Sequence, residues 1–390
     1  MTSFAGIFVP APLRDAVSDE AWLAAMLDAE RALARAEAAA GAIPAGAADA
    51  IAAACEPDRF DLDTLLAEGR AVGNPAGPLV RALREQVGGD AARFVHFGAT
   101  SQDVLDTAAM LVARSAVELV AQELDGVATA CARLAEEHRD TPMAARTLLQ
   151  QAVPTTFGAK AAGWLVGVVV ARDRLRGLRF HAQLGGAAGT LAPLGARGIE
   201  VLAAFAAELE LYEPVVPWHT QRGPVAAIGA SLDAAARACA KIGVDVVLLA
   251  QTEVGEVAEA EGGGSSTMPH KRNPAKALLA RACARLVHAN ASLLAGGEHE
   301  LERAAADWQA EWTALSEALA LTGGAAWAAR ECLEGLEVRP ERMRENMRDS
   351  LWAERDRFAE SELADPDDAW LGSSGAFVER ALKRWREGTP

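Results

Sequence analysis

The chain has 390 residues, of which 51% are hydrophobic and only 5% aromatic, and it carries a formal net charge of −16. That length supports one large domain or two to three smaller ones around a substantial core. The acidic balance argues against nucleic acid or an anionic membrane surface as partner, so any anion site must be locally basic. Cys55, Cys131, Cys239, Cys283 and Cys332 lack paired spacing and read as free buried thiols in a reducing compartment. No span is long and uncharged enough to cross a bilayer, and Met1 to Gly6 carries no leader pattern, so a soluble cytoplasmic protein is expected.

Ser18-Asp19-Glu20 reads as an N-cap with an acidic first turn. The stripe Trp22, Leu23, Met26, Leu27, Leu33 and Ala34 predicts the first helix, with Glu30 on the same face bordering a polar site or solvent. Gly41 to Pro44 ends it, and a short helix follows from about Ala47 to Cys55. Ser101-Gln102-Asp103 caps a helix predicted to run unbroken almost to Pro142, roughly ten turns. Further helices are predicted over Thr156–Leu184, Ser231–Val257, Ala275–Leu294 and Glu298–Leu321, the last ended by Gly323-Gly324. No period-two segment is long enough to predict a sheet. Together these elements predict an all-α fold, an elongated bundle of long helices with small flanking helical domains. The divisions fall at 1–100, 101–337 and 338–390.

Several segments could carry chemistry. Gly262 and Gly263 lead into Gly264-Ser265-Ser266-Thr267-Met268-Pro269-His270-Lys271-Arg272-Asn273-Pro274. Glycines let backbone close over a ligand, successive N–H groups cradle an anion, and Lys271 and Arg272 add positive charge. His96 to Thr107 includes Asp103 and Asp106 and also Thr100 and Ser101, whose two hydroxyls at a helix start suit a carboxylate, or a plain cap beside a buried histidine. Arg146-Thr147-Leu148-Leu149-Gln150 offers a guanidinium, a hydroxyl and an amide, and Pro217-Trp218-His219-Thr220-Gln221-Arg222 offers a histidine and another planar Arg fork. Asn74, between Gly73 and Pro75, marks at least a turn. No Cys/His spacing suits a metal, and the glycine run lacks the strand-loop-helix setting of a nucleotide site.

The glycine-serine loop fills every fixed position of G-S-S-x-M-P-x-K-x-N-P and resembles the signature loop of the fumarase/aspartase superfamily. The His96–Thr107 stretch resembles that superfamily's first block, G-x-T-S-x-D-x-x-D-T, and Arg146–Gly158 resembles its second. One departure stands out: the second block's histidine is Leu148 here. Softer stretches, Gly73–Leu83, Leu184–Ala192 and Trp218–Arg222, look most like the bacterial 3-carboxy-cis,cis-muconate cycloisomerases.

What the resemblance implies is a cofactor-free, metal-free enzyme that lactonises 3-carboxy-cis,cis-muconate in aromatic catabolism through an aci-carboxylate. By resemblance Ser265 moves the proton at the α-carbon, and Lys271 and Asn273 hold the dianion. Thr100, Ser101, Arg146, Thr147, Gln150, Ser266, Met268, Asn74 and Arg222 would bind the small polycarboxylate substrate. His96 and His219 would be hydrogen-bond or proton partners. The resemblance also implies a homotetramer in which each site draws on three chains. Leu148 fits lactonisation, because the nucleophile is the substrate's own tethered, already ionised carboxylate and needs no general acid. The rival expectations are adenylosuccinate lyase or a related fumarate-releasing lyase, with His219 replacing the missing histidine, and a catalytically silent scaffold.

Overall fold

A computed structural model describes residues 4–260, 263, 264, 268, 271–358 and 370–388. The N-terminal part contains α1 (Ala5–Phe8), α2 (Ala11–Asp15), α3 (Asp19–Ala39), α4 (Ala45–Ala54), α5 (Leu62–Val72) and α6 (Ala76–Val87). The middle contains α7 (Ser101–Glu137), α8 (Phe157–Arg176), α9 (Gly198–Glu208), α10 (Gly223–Leu249), α11 (Ala275–Ala295) and α12 (Asp307–Glu334). The end holds α13 (Pro340–Asn346), α14 (Ala353–Phe358) and α15 (Ser374–Glu387). The fold is all-α in class, as the sequence predicts.

Three small antiparallel ribbons correct the expectation of no sheet: β1 (Pro142–Thr147) with β2 (Gln150–Thr156), β3 (Val257–Glu259) with β6 (Leu336–Val338), and β4 (Gly263–Gly264) with β5 (Arg272–Asn273). The β1–β2 hairpin escapes a pattern reading because its two turn residues are Leu148 and Leu149, not the Asn-Gly pair that announces such turns. A second correction concerns Gly323-Gly324, which lie inside α12 and do not end it. A Cβ at 323 would sit 2.5 Å from the Leu13 side chain, and one at 324 would sit 2.3 Å from the Phe8 carbonyl oxygen. These glycines thus admit the N-terminal segment against the bundle.

Helix α7 is 37 residues long, about 55 Å at 1.5 Å per residue. Helix α12 packs along it and α10 packs along α12, both in the same direction as α7. At their starts, Arg222 and Trp308 both donate to Asp106 near the start of α7. At the far end, Arg133 of α7 donates to the Leu333 carbonyl of α12. Helix α11 returns, its first N–H groups on Lys276 and Ala277 donating to the Glu259 carboxylate. Helix α8 also returns, since the Gly158 N–H donates to the His138 carbonyl just past the end of α7. The bundle therefore has two poles, one at the starts of α7, α10 and α12, the other at the starts of α8 and α11.

The five cysteines are free and buried as expected, and burial pushes the thiols of Cys55, Cys239 and Cys283 up to about 12. Two acids share the buried face of α3. Glu30 is explained by His96, whose Nδ1 lies 2.5 Å from its carboxylate. Glu37 is 0% exposed and neither carboxyl oxygen has a hydrogen-bond partner among the described residues. Burial, followed by the nearby charge of Glu30, pushes its carboxyl up to about 9. The folded chain therefore holds a proton there that the unfolded chain releases near its ordinary value. Stability attributable to this group is full at acid pH and falls as pH rises toward 9. Glu37→Gln is expected to flatten that slope and to raise stability at pH 8 by about 2 kcal/mol or more, read as a urea midpoint measured from pH 5 to 9. An unchanged pH slope in the variant would place the cause elsewhere.

Candidate functional site

The first pole is built around Asp103 and Asp106, one turn apart on the buried face of α7. Thr100 is the N-cap of α7 and forms a capping box with Asp103. Asp103 Oδ1 accepts from the Gly185 N–H at 2.9 Å, while Oδ2 accepts from the N–H groups of Gly186 at 2.9 Å and Thr100 at 3.0 Å. Oδ1 also lies 2.6 Å from His219 Nε2. A carboxylate surrounded by donors can only accept, so Nε2 carries a proton toward Asp103 and Nδ1 is the ring's basic atom. His219 is 4% exposed. A Cβ at Gly185 would stand 2.7 Å from its Cε1, so only glycine fits there.

Asp106 takes the Arg222 guanidinium end-on, at 2.7 and 2.9 Å, and the Trp308 indole N–H at 3.0 Å. Glu311 accepts from Arg222 Nε at 3.1 Å and from its Nη2. The same guanidinium lies over the Trp218 ring at 4.8 Å. Burial opposes the charge on Arg222, but Asp106 and Glu311 more than offset it and push its pKa further up. Arg222 is thus held by protein carboxylates. Gln102 links the pieces: its amide donates to Asp106 at 3.1 Å and to the His219 carbonyl at 2.8 Å, and accepts from Arg303 at 2.9 Å. The first block and the Trp218–Arg222 run, two stretches far apart in sequence, form one polar site. Ser101 begins α7 beside it, half-buried.

His96 stands slightly apart, at φ 60°, with its ring turned toward Glu30 on α3. Burial pulls its pKa down, but the charge and hydrogen bond of Glu30 prevail and leave it raised. Asn74 caps the start of α6, its Oδ1 accepting from the Gly77 N–H at 3.2 Å.

The second block lies at the other pole. Thr147, Leu148, Leu149 and Gln150 form a two-residue hairpin tip, with φ of 51° at Leu148 and 64° at Leu149. Both values suit glycine or asparagine, and holding leucine there stores strain of about 1 to 3 kcal/mol per residue. Leu148 is 96% exposed and Leu149 71% exposed, with Thr147 and Gln150 also exposed beside them. Behind the tip Arg146 makes a bidentate pair with fully buried Glu256, at 2.6 and 3.0 Å. Asn346 of α13 donates to the same carboxylate at 2.8 Å.

Lys271 and Asn273 follow the glycine-rich loop at this second pole. Lys271 is exposed, and its N–H donates to the Met268 carbonyl at 2.9 Å. Asn273 pairs with Gly263 in the β4–β5 ribbon, and Met268 is 40% exposed. Ser265 and Ser266 lie outside the described residues.

Pattern reading named Asp103 and Asp106 only as members of the first block, without a role, and passed over Gln102, Arg303, Glu256 and Glu311 as site-building residues. The signal was present: two aspartates three apart on an apolar helix face must find donors, and buried carboxylates are seldom left unpaired.

Among the described residues no group of three or more His, Cys, Asp or Glu side chains could hold a metal ion. A family profile described as Lyase matches residues 10–288. The chain is 49% identical over 353 residues to a nitrosuccinate lyase of Streptomyces davaonensis, covering 86% of this chain and 74% of that one. It is 44% identical over 387 residues to a 3-carboxy-cis,cis-muconate cycloisomerase of Bradyrhizobium diazoefficiens, covering 96% and 85%. The crystal structure of the 3-carboxy-cis,cis-muconate lactonizing enzyme from Pseudomonas putida superimposes with a TM-score of 0.90 at 36% identity, covering 99% of each chain.

Proposed function

The chain belongs to the fumarase/aspartase superfamily of lyases, and we propose that within it this enzyme is a cofactor-independent cycloisomerase that lactonises 3-carboxy-cis,cis-muconate. The observation that carries the reading is Leu148 at the exposed hairpin tip, where the second block as adenylosuccinate lyases commonly have it carries a histidine. Apolar and strained, it cannot transfer a proton. The reaction must be one whose entering or leaving group needs none, and a tethered substrate carboxylate meets that condition.

In this reading Ser265 delivers the proton at the α-carbon, and Lys271 and Asn273 stabilise the aci-carboxylate. Thr100 and Ser101 receive a substrate carboxylate at the start of α7. Within one chain the first block lies at one end of α7, and the second block with Lys271 and Asn273 lies at the other, about 50 Å away. One chain cannot close all three around a substrate, which supports a homotetramer with sites shared between copies. The three-part division at residues 100 and 337 and a cytoplasmic location belong to the same proposal.

The 49% identity to a nitrosuccinate lyase supports a second reading, elimination of nitrite from a nitrosuccinate. Nitrite leaves as a stable anion, so this reaction also dispenses with the histidine. Adenylosuccinate, whose amine must be protonated as it leaves, suits Leu148 less well.

The test is loss of the conjugated-diene absorbance of 3-carboxy-cis,cis-muconate with purified protein and a chelator, beside parallel assays for nitrite from nitrosuccinate and fumarate from adenylosuccinate. Rapid turnover of the muconate alone is the expected result, and nitrite release with an inert muconate would select the second reading. Leu148→His is expected to leave muconate turnover within about threefold, because no proton is needed at that position. A large gain in that variant would mean that a general acid does limit the reaction.

A further inference from the structure

Asp103 holds two things at once, one on each carboxylate oxygen. Oδ1 faces His219 Nε2 at 2.6 Å, and Oδ2 accepts from the N–H of Thr100, the N-cap of α7, at 3.0 Å. The imidazole and the start of the helix are therefore neighbours across one carboxylate. The ring is held in place. Trp218 beside it donates its N–H to Gln183 Oε1 at 3.0 Å and its indole N–H to the Ala182 carbonyl at 2.8 Å, and Gly185 packs on its Cε1. The remaining ring nitrogen, Nδ1, has no hydrogen-bond partner among the described residues. Unlike both ring nitrogens of His299, it is not enclosed, so a ligand can reach it.

The charges around the ring come from every element that meets at this pole. Asp103 and Asp106 belong to α7 and Glu311 to α12, while Arg222 stands at the start of α10. Arg303, just before α12, donates to Gln102 at 2.9 Å and to the Gly186 carbonyl at 2.6 Å. His299 Nε2 lies 3.2 Å from Glu311, and His96 pairs with Glu30 behind the first block. Three carboxylates thus meet two guanidinium groups, and the pole is short of one positive charge before any ligand arrives. A carboxylate drawn to the first N–H groups of α7 deepens that deficit. An imidazolium between it and Asp103 removes the deficit, and with Nε2 already committed to Asp103 the added proton enters at Nδ1.

We infer that His219 takes up a proton at Nδ1 when a carboxylate ligand binds at the first pole, and holds that carboxylate as an imidazolium whose other end stays on Asp103. One substrate carboxylate is then shared between the ring and the start of α7, by a charge-assisted hydrogen bond on one side and the helix terminus on the other. In this role His219 binds charge and leaves the α-carbon to Ser265. The inference rests on the polycarboxylate reading above.

The test is calorimetry on the full chain with tricarballylate, a saturated tricarboxylate that cannot react, in Hepes and in Tris, whose ionisation enthalpies differ. At pH 7.5 the apparent binding enthalpies in the two buffers are expected to differ by what uptake of about half a proton or more requires. His219→Gln keeps an amide near Asp103 but cannot gain a charge. It is expected to show no buffer dependence and to bind about tenfold more weakly at pH 6.5. Because the wild-type complex gains a proton, its affinity falls as the pH rises from 6 to 9, while that of the variant stays flat and the two converge. A merely structural defect would weaken the variant equally at every pH. With the reacting substrate, the variant is expected to raise KM more than it lowers kcat. The wild-type buffer dependence stands as a test even if the variant does not fold. Equal buffer dependence in both proteins, none in the wild type, or a wild type that binds no tricarballylate would overturn the inference. Proton uptake through His219 without turnover of 3-carboxy-cis,cis-muconate would keep it and discard the proposed reaction, and turnover without uptake would do the reverse.

Discussion

Ser265→Ala is expected to lower kcat by about three orders of magnitude while KM stays within a few-fold of the wild type. The proposed chemistry asks a serine hydroxyl to exchange a proton with carbon, for which a free hydroxyl is a poor acid and a poorer base. The glycine-rich loop can remedy this only by stabilising the alkoxide with backbone N–H groups and the Lys271 cation, and a methyl group offers nothing to stabilise. Substrate carboxylates bound at the start of α7 do not touch this change, so binding persists. Steady-state rates from the diene absorbance give both parameters. Near-normal kcat would remove Ser265 from the mechanism and transfer the proton step to His219, whose Nδ1 is the basic atom of a ring already oriented by Asp103.

The separation of the blocks along α7 adds a second reading of the same variant. If sites are shared, Ser265→Ala and an inactive first-pole variant such as Asp103→Ala fail at opposite ends of the chain. Refolding them together would place an intact loop from one copy beside an intact first pole from another and restore part of the activity. No recovery from the mixture would count against shared sites.

The sequence carried the existence of the long helices, which repeat their apolar residues over many turns, better than their bounds: the helix expected over Ser231–Val257 is α10 at Gly223–Leu249, and the one expected over Glu298–Leu321 is α12 at Asp307–Glu334. Ala275–Leu294 is met within one residue by α11, and Ser18 caps α3 by accepting from the Ala21 N–H at 3.3 Å. It carried the short ribbons poorly, since their register comes from tertiary partners. Arg146 is drawn to Glu256 and Asn346, residues more than a hundred positions away. The same cause explains Gly323-Gly324, where a helix breaker by local preference is kept helical by what packs on it. For the site, motif strings identified the segments but not their company. His219 was legible as a candidate, whereas its orientation by Asp103 and the clamp on Arg222 depend on three helix starts meeting at one pole.

That clamp predicts the largest effect on stability. Arg222→Leu is expected to destabilise the fold by about 3 to 5 kcal/mol at neutral pH, read as a lowered urea midpoint with an unchanged slope. The substitution removes the cation but leaves Asp106 and Glu311, 2% and 5% exposed, facing each other without it. Trp308, Gln102 and Gln183 still donate to Asp106, and His299 Nε2 lies 3.2 Å from Glu311, but these contacts do not replace the guanidinium that bridges both carboxylates. Protonating either carboxylate would relieve the repulsion, so the deficit against wild type should narrow as the pH is lowered toward 4. A deficit independent of pH would mean that lost packing against Trp218, not unpaired charge, is the cause. Arg222→Lys separates the two further. It keeps the charge but loses the planar fork that spans both carboxylates, and should recover part of the stability at neutral pH.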